Sequence, residues 1–136
     1  MTAHHTIDIG GTPADRTFTF GPPVSRMHKR GHIWFNNDPP GQMLQLKVIT
    51  GNWVFENDGT DDGTLAFWIS TDCDPATKTQ FRDYGVFSPP TLDTATFTKL
   101  TFGTANNDEG VYYYMLRFRN LLTGECATCD PIIHNM

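Results

Sequence analysis

Apolar and polar residues alternate with a period of two along most of the chain. In the clearest stretch, residues 111–118, four large side chains fall on one face: Tyr112, Tyr114, Leu116 and Phe118. A period of two is the spacing of side chains on one face of a β-strand. The alternation predicts strands at residues 6–9, 17–20, 32–35, 43–50, 52–56, 64–70, 84–87, 97–104, 111–118 and 129–134.

Clusters of Gly, Pro, Asp and Asn separate these segments, and they leave almost no room for a crossover helix. Nineteen Thr against seven Ala also favour strands over helices. Residues 1–136 are long enough for one domain with its own core. We therefore predict a single all-β domain, an antiparallel β-sandwich of about seven to ten strands.

The entry into the Tyr-rich strand indicates the kind of sandwich. Asp108, Gly110, Tyr112 and Tyr114 have the spacing D-x-G-x-Y-x-C with which strand F of immunoglobulin-like sandwiches begins. In that pattern Tyr112 takes the tyrosine-corner position, and Tyr114 stands where antibody domains have a buried cysteine. The prediction is an immunoglobulin-like Greek-key sandwich in which these four residues are structural.

The C-terminus adds a family resemblance. Asp130-Pro131 opens a D-P-x-I-x-N ending one short loop after the Tyr-rich strand. With that strand, it resembles the bacterial DP-EP family, and more loosely the inclusion-body proteins of the PixA/AidA type. The resemblance covers about the last 30 residues. It implies an immunoglobulin-like antiparallel sandwich and assigns no catalytic residue.

Charge and hydropathy narrow the environment and the partners. A formal net charge of −5 argues against a nucleic-acid partner. No apolar run approaches the roughly 18 residues of a membrane span, and the first residues lack the features of a signal peptide. We expect no membrane partner and a cytoplasmic location, with export of a mature form left open.

Two groups of residues are weak metal candidates. The pair Cys126 and Cys129 is a C-x-x-C half-site that Cys73 and His134 would complete for zinc. A disulfide is an alternative, but reduced thiols in a loop are favoured because three cysteines are few and odd in number. The second group, an acidic stretch with oxygen ligands for calcium, contains Asp58, Asp61 and Asp62. Solvated Asp-Gly turns are the favoured interpretation of that stretch.

Two other groups are candidates for binding. A basic loop between the second and third predicted strands would suit an acidic partner or simply be solvated, and contains Arg26, His28, Lys29, Arg30 and His32. Exposed aromatic side chains with a nearby amide would stack on a sugar, and the candidates are Trp34, Asn36, Trp53 and Tyr113.

The sequence contains no catalytic motif as strong as the motif that opens the Tyr-rich strand. We predict a non-enzymatic binding or structural assembly module that needs no cofactor and has a protein or glycan partner. The alternative is a carbohydrate- or calcium-binding lectin-like domain, and a small hydrolase or metal enzyme comes third. The apolar outward face around Tyr113 further predicts a homo-oligomer.

Overall fold

The structure is a computed structural model, and it describes residues 2–22, 29–35, 43–70, 79–80, 87–103, 110–129 and 131–135. Within these ranges the regular elements are twelve strands and one 3₁₀ turn at Gly63–Leu65. The strands are β1 (Thr2–Thr12), β2 (Asp15–Gly21), β3 (Ile33–Phe35), β4 (Met43–Val48), β5 (Trp53–Phe55), β6 (Phe67–Ser70), β7 (Thr79–Gln80), β8 (Thr91–Leu92), β9 (Lys99–Gly103), β10 (Gly110–Asn120), β11 (Cys126–Cys129) and β12 (Ile132–Asn135).

The first sheet has the strand order β2-β1-β4-β9-β8. Strands β1 and β2 form an antiparallel hairpin in which Thr12 faces Asp15. Strand β4 is antiparallel to β9 but parallel to β1. The first sheet is therefore mixed.

The second sheet has the order β3-β12-β10-β6-β7 and is organised around the long strand β10. One edge of β10 pairs with β12 and then β11, while the other pairs with β6 and then β5. Pro131, which has no N–H to donate, separates β11 from β12, and its carbonyl accepts the Tyr114 N–H at 3.1 Å. Strand β3 is parallel to β12, so this sheet is mixed as well.

The two sheets pack face to face over one hydrophobic core. Phe102 of the first sheet lies 4.5 Å from Phe67 of the second, measured between ring centroids. Near β5, Phe18 stacks on Phe118 at 5.5 Å. The buried cluster takes residues from Ile7 to Ala127. The side chains predicted to share one face of β10 are all buried, which confirms that register.

Tyr114 lies at the centre of this core with no exposed surface. Its ring stacks against Phe67 at 5.7 Å, and its hydroxyl donates to the Gly31 carbonyl at 2.5 Å. Burial raises the pKa of this phenol well above its ordinary value, with Cys129 adding to the effect. Gly31 has φ +88°, and a Cβ there would meet the Phe20 ring at 2.6 Å. The segment before β3 is thereby held against the core.

The alternation predicts the inward faces of the strands better than it predicts the relative direction of paired strands or the residues at which strands begin and end. An all-antiparallel fold is wrong for β1–β4 and for β3–β12, because period two identifies a face and says nothing of a neighbour's direction. Leu65 belongs to the 3₁₀ turn instead of a strand, since the Asp62 carboxylate accepts the Thr64 N–H and starts that turn. Phe97 precedes β9 with φ +56°, which a strand does not tolerate.

Two other features bear on the predictions. The final predicted strand, residues 129–134, corresponds mainly to β12, and Pro131 separates β12 from β11. The corner itself, including Asp108, lies outside the described residues; Gly110 opens β10 and Tyr112 is buried. Among the described residues there is no helix long and apolar enough to cross a membrane.

Tyr114→Phe should lower the free energy of unfolding by about 1–3 kcal/mol, because it leaves the buried Gly31 carbonyl without its donor. Chemical denaturation measures this difference. The matched control is Tyr113→Phe, on the half-buried opposite face of the same strand, which should change stability by less than about 0.5 kcal/mol. Equal losses in the two variants would contradict the role given to the Tyr114 hydroxyl.

Candidate functional site

A groove of about 830 Å³ opens at the end of the two sheets where the chain passes from β4 to β5. Its lining comes from the β4–β5 connection (residues 47–54), Asn57, the loop before β9 (residues 95–98) and Leu121 in the turn after β10. This volume lies within the range typical of small-molecule sites. The groove uses residues of both sheets, so it is a product of their packing.

Exposed aliphatic side chains concentrate at this groove. In the part of the chain that the structure describes, the large hydrophobic side chains left exposed are Ile49, Leu121 and Leu122, at 54%, 67% and 78%. Ile49 and Leu121 line the groove, and Leu122 is next to it in sequence. Apolar surface gathered in one place, unlike single scattered residues, is typical of interaction sites.

The wall formed by residues 95–98 has an unusual backbone. Phe97 has φ +56°, a left-handed conformation that is a genuine outlier for a bulky residue. Around it the chain serves both sheets: the Phe97 carbonyl accepts the Phe55 N–H, and the Thr98 carbonyl accepts the Val48 N–H, both at 2.9 Å. Such strain persists only where surrounding contacts impose it, and it clusters at functional sites.

Asp93 holds this wall in place. One carboxylate oxygen accepts the Lys99 N–H at 2.8 Å, and the other accepts the N–H and hydroxyl of Thr96 at 2.9 and 2.7 Å. Desolvation by burial raises the pKa of Asp93, but the hydrogen bonds from Thr96 and the backbone outweigh it and leave the pKa lowered. The ionised carboxylate therefore stabilises the loop.

The opposite wall is anchored as firmly. Thr50 accepts the Ile9 N–H at 2.7 Å and donates its hydroxyl to Asp8 at 2.6 Å. Asn52 has φ +68°, a conformation that Asn tolerates, and its carbonyl accepts the Leu121 N–H at 2.7 Å. The turns that build the groove are thus held by hydrogen bonds within the protein.

Trp53 lies in the lining of the groove, and Arg16 covers its ring with the guanidinium 5.2 Å from the ring centroid. Arg16 also donates two hydrogen bonds to Glu125, at 2.7 and 2.6 Å. The hydrogen bond from Arg16 lowers the pKa of Glu125. This ion pair joins β2 to the β10–β11 turn and holds Trp53 beneath it.

The structure separates Trp53 from Tyr113, the other described side chain among the candidates for sugar stacking. Trp53 is 4% exposed, so its face is not open for stacking. Tyr113 is half-buried on the outward face of the second sheet, and Trp53 pairs with Asn120, seven residues along β10. Seven residues span roughly 24 Å. Trp34 in β3 pairs with His134 in β12, and His134 pairs with Val111 in β10, so Trp34 lies at the Tyr113 end of the sheet. Asn36 lies outside the described residues.

The basic loop is described only in part. Lys29 and Arg30 are exposed in a turn, and His32 is half-buried just before β3. The Lys29 carbonyl accepts the Phe20 N–H at 2.7 Å, which ties the loop to β2. Arg26 and His28 lie outside the described residues, so a binding role for this loop stays a prediction.

The two cysteines of the C-x-x-C motif lie on opposite faces of one strand. Cys126 and Cys129 lie in strand β11 and not in the predicted loop, and extended backbone places positions i and i+3 on opposite faces. Accordingly Cys126 is an exposed thiol while Cys129 packs partly against the core. His134 belongs to β12 and Cys73 lies outside the described residues. The described residues contain no group of three or more His, Cys, Asp or Glu side chains placed to hold a metal.

The acidic candidates for calcium are taken up in local turns. Asp58 accepts the N–H of Thr60 at 3.1 Å and also its hydroxyl, and the side-chain hydrogen bond is the main reason that its pKa is lowered. Asp62 caps the 3₁₀ turn, and the Asp61 carbonyl accepts the Leu92 N–H. Residues 58–61 form consecutive bends.

Sequence reasoning missed the groove residues Ile49, Phe97 and Leu121. The alternation places Ile49 within the strand predicted at residues 43–50 and Phe97 at the start of the strand predicted at residues 97–104. One signal was available: the dipeptide Leu121-Leu122 stands between a strand and a Thr-Gly turn, where buried residues are not expected. Nothing in the sequence indicates that these three residues meet.

No protein-family model matches this chain, and no curated protein matches it. The resemblance to the DP-EP family therefore stays a prediction from the C-terminal residues.

Asp93→Asn should destabilise the protein by about 1–2 kcal/mol at neutral pH, because an amide cannot accept every hydrogen bond that the carboxylate accepts. The pKa of Asp93 is lower in the folded state, so its stabilisation is complete above the unfolded value of about 3.9 and is lost as the pH falls through the folded pKa. Thermal unfolding from pH 7 to pH 3 measures both effects.

The deficit of Asp93→Asn should stay constant between pH 7 and pH 5 and shrink in more acidic buffer. Asp61→Asn is the control, because the Asp61 carboxylate accepts no hydrogen bond from the residues that the structure describes. A deficit that grows as the pH falls below 4 would have the wrong sign for this account.

Proposed function

We propose that this protein is a non-enzymatic binding module whose ligand site is the groove between β4, β5 and the loop before β9. The proposal depends mainly on one observation: of the three large aliphatic side chains left exposed among the described residues, two, Ile49 and Leu121, line this groove. The occupant is a small ligand with an aliphatic body. Binding of this ligand would remove Ile49 and Leu121 from water. Burial of apolar surface contributes about 25 cal/mol of favourable free energy per Å².

Binding is favoured over catalysis by the way the polar groups of the groove are used. The hydroxyl groups of Thr50 and Thr96 already take part in hydrogen bonds that hold the turns. Phe97 and Thr98 direct their carbonyls into the sheets. These groups shape the groove: the two hydroxyl–carboxylate pairs at its lining, Thr50 with Asp8 and Thr96 with Asp93, hold its turns.

We also infer that the two sheets form an immunoglobulin-like sandwich. Strands β4, β9 and β8 follow the order B, E and D, and β6, β10 and β12 follow C, F and G. Tyr112 and Tyr114 then begin strand F, as their spacing predicts. The β1–β2 hairpin extends the first sheet beyond β4, and it is the parallel β1–β4 pair that departs from the usual pattern. The groove lies at one end of this sandwich, where loops supply binding sites.

Titration with N-phenyl-1-naphthylamine, a neutral apolar dye that fluoresces when it leaves water, tests the ligand site. Wild-type protein should bind the dye, and Leu121→Ser should bind it about five- to tenfold more weakly, because it removes apolar surface worth about 1–1.5 kcal/mol. Leu122→Ser is the matched control: it changes the neighbouring exposed leucine, which is not part of the lining, and should bind the dye as the wild type does.

Equal losses in the two leucine variants would remove the groove as the site, and so would no binding at all. The remaining possibility is that a second copy of the protein covers the groove or the face around Tyr113. Light scattering of the same samples tests this by measuring the oligomeric state. A wild-type dimer that Leu121→Ser dissociates would assign the aliphatic cluster to assembly and not to a ligand.

A further inference from the structure

Two lysines face each other beside the groove. Lys47, in its lining, is the direct antiparallel partner of Lys99 on β9. Residues opposite one another across such a pair have Cβ atoms about 4.5–5.5 Å apart, and like charges in that position destabilise a sheet. Leu46 and Leu100, one step along the two strands, are buried, so both lysines lie on the outward face.

Neither ammonium group has an ion-pair partner among the described residues. The salt bridges within that part of the chain are Arg16–Glu125 and Arg119–Glu56. The nearby carboxylate of Asp93 is used by the Lys99 and Thr96 N–H groups and by the Thr96 hydroxyl. An anion placed between the ammonium groups of Lys47 and Lys99 would attract both of them and offset their mutual repulsion.

The apolar lining and the lysine pair are continuous. Val48, Ile49 and the other lining residues of the β4–β5 connection follow Lys47 directly, and Thr98, at the far wall, precedes Lys99. A ligand with its aliphatic chain against Ile49 and Leu121 would therefore bring its end group to the lysines at the rim.

We propose that the groove binds an aliphatic carboxylate, with the acyl chain in the groove and the carboxylate at Lys47 and Lys99. This deepens the proposed function and rests on it. The pairing of a mostly apolar concave lining with a few polar groups that fix orientation is the usual composition of a small-molecule site.

Displacement of N-phenyl-1-naphthylamine by octanoate and by 1-octanol tests the proposal, because the two competitors share one chain length and differ in charge. Octanoate should compete more strongly than octanol with the wild type, and its advantage should fall as salt is added. Lys47→Gln and Lys99→Gln should each weaken octanoate about three- to fivefold, and the double variant about tenfold. Octanol should be unaffected in all three.

Lys29→Gln is the control for net charge, since Lys29 lies in the exposed turn after β2 and not at the groove. Relief of the repulsion means that Lys47→Gln should unfold no more easily than the wild type, so weaker binding would not be a folding defect. If octanoate and octanol compete equally, the carboxylate assignment is wrong while the proposed function stands. If neither competes with a dye that Leu121→Ser does weaken, the acyl-chain class is wrong. If the dye does not bind, both proposals fail.

Discussion

A buried hydroxyl at the centre of an aromatic core constrains the whole arrangement. Tyr114 packs between Phe67 and Phe102, and its phenol is fully buried. An unsatisfied hydroxyl there would cost about 1–3 kcal/mol, so an acceptor must come from the chain itself. Gly31 supplies it, and its lack of a side chain lets the backbone pass against Phe20. The segment before β3, which is polar in sequence, is thereby fixed to the second sheet.

The same demand for backbone partners shapes the groove. Where the chain leaves β4 in one sheet and enters β5 in the other, N–H groups of both sheets need acceptors. Phe97 and Thr98 meet that demand at successive carbonyls, at the cost of a left-handed phenylalanine. Asp93 stabilises this loop, which leaves a concave end with Ile49 and Leu121 exposed. The groove thus follows from the way the two sheets are joined.

The sequence predicts the parts of this structure that depend on local pattern. The inward residues of β10 follow from alternation, because burial on one face of a strand requires it. The parallel pairing of β1 with β4 does not, since direction depends on connections of many residues. The groove combines three segments far apart in sequence, and the opposition of Lys47 and Lys99 depends on the register of β4 with β9. Both features depend on tertiary structure and cannot be predicted from a local sequence pattern.

The central claim is that one end of the molecule, and not the Tyr113 face, holds the ligand. Titration of ¹⁵N-labelled protein with octanoate, followed residue by residue in amide correlation spectra, tests it most directly. The account predicts saturable shifts at residues 47–54, 95–99 and 121, with little change at Tyr113 and Met115. Shifts centred on Tyr113 and Met115, or shifts spread evenly over both sheets without saturation, would contradict it.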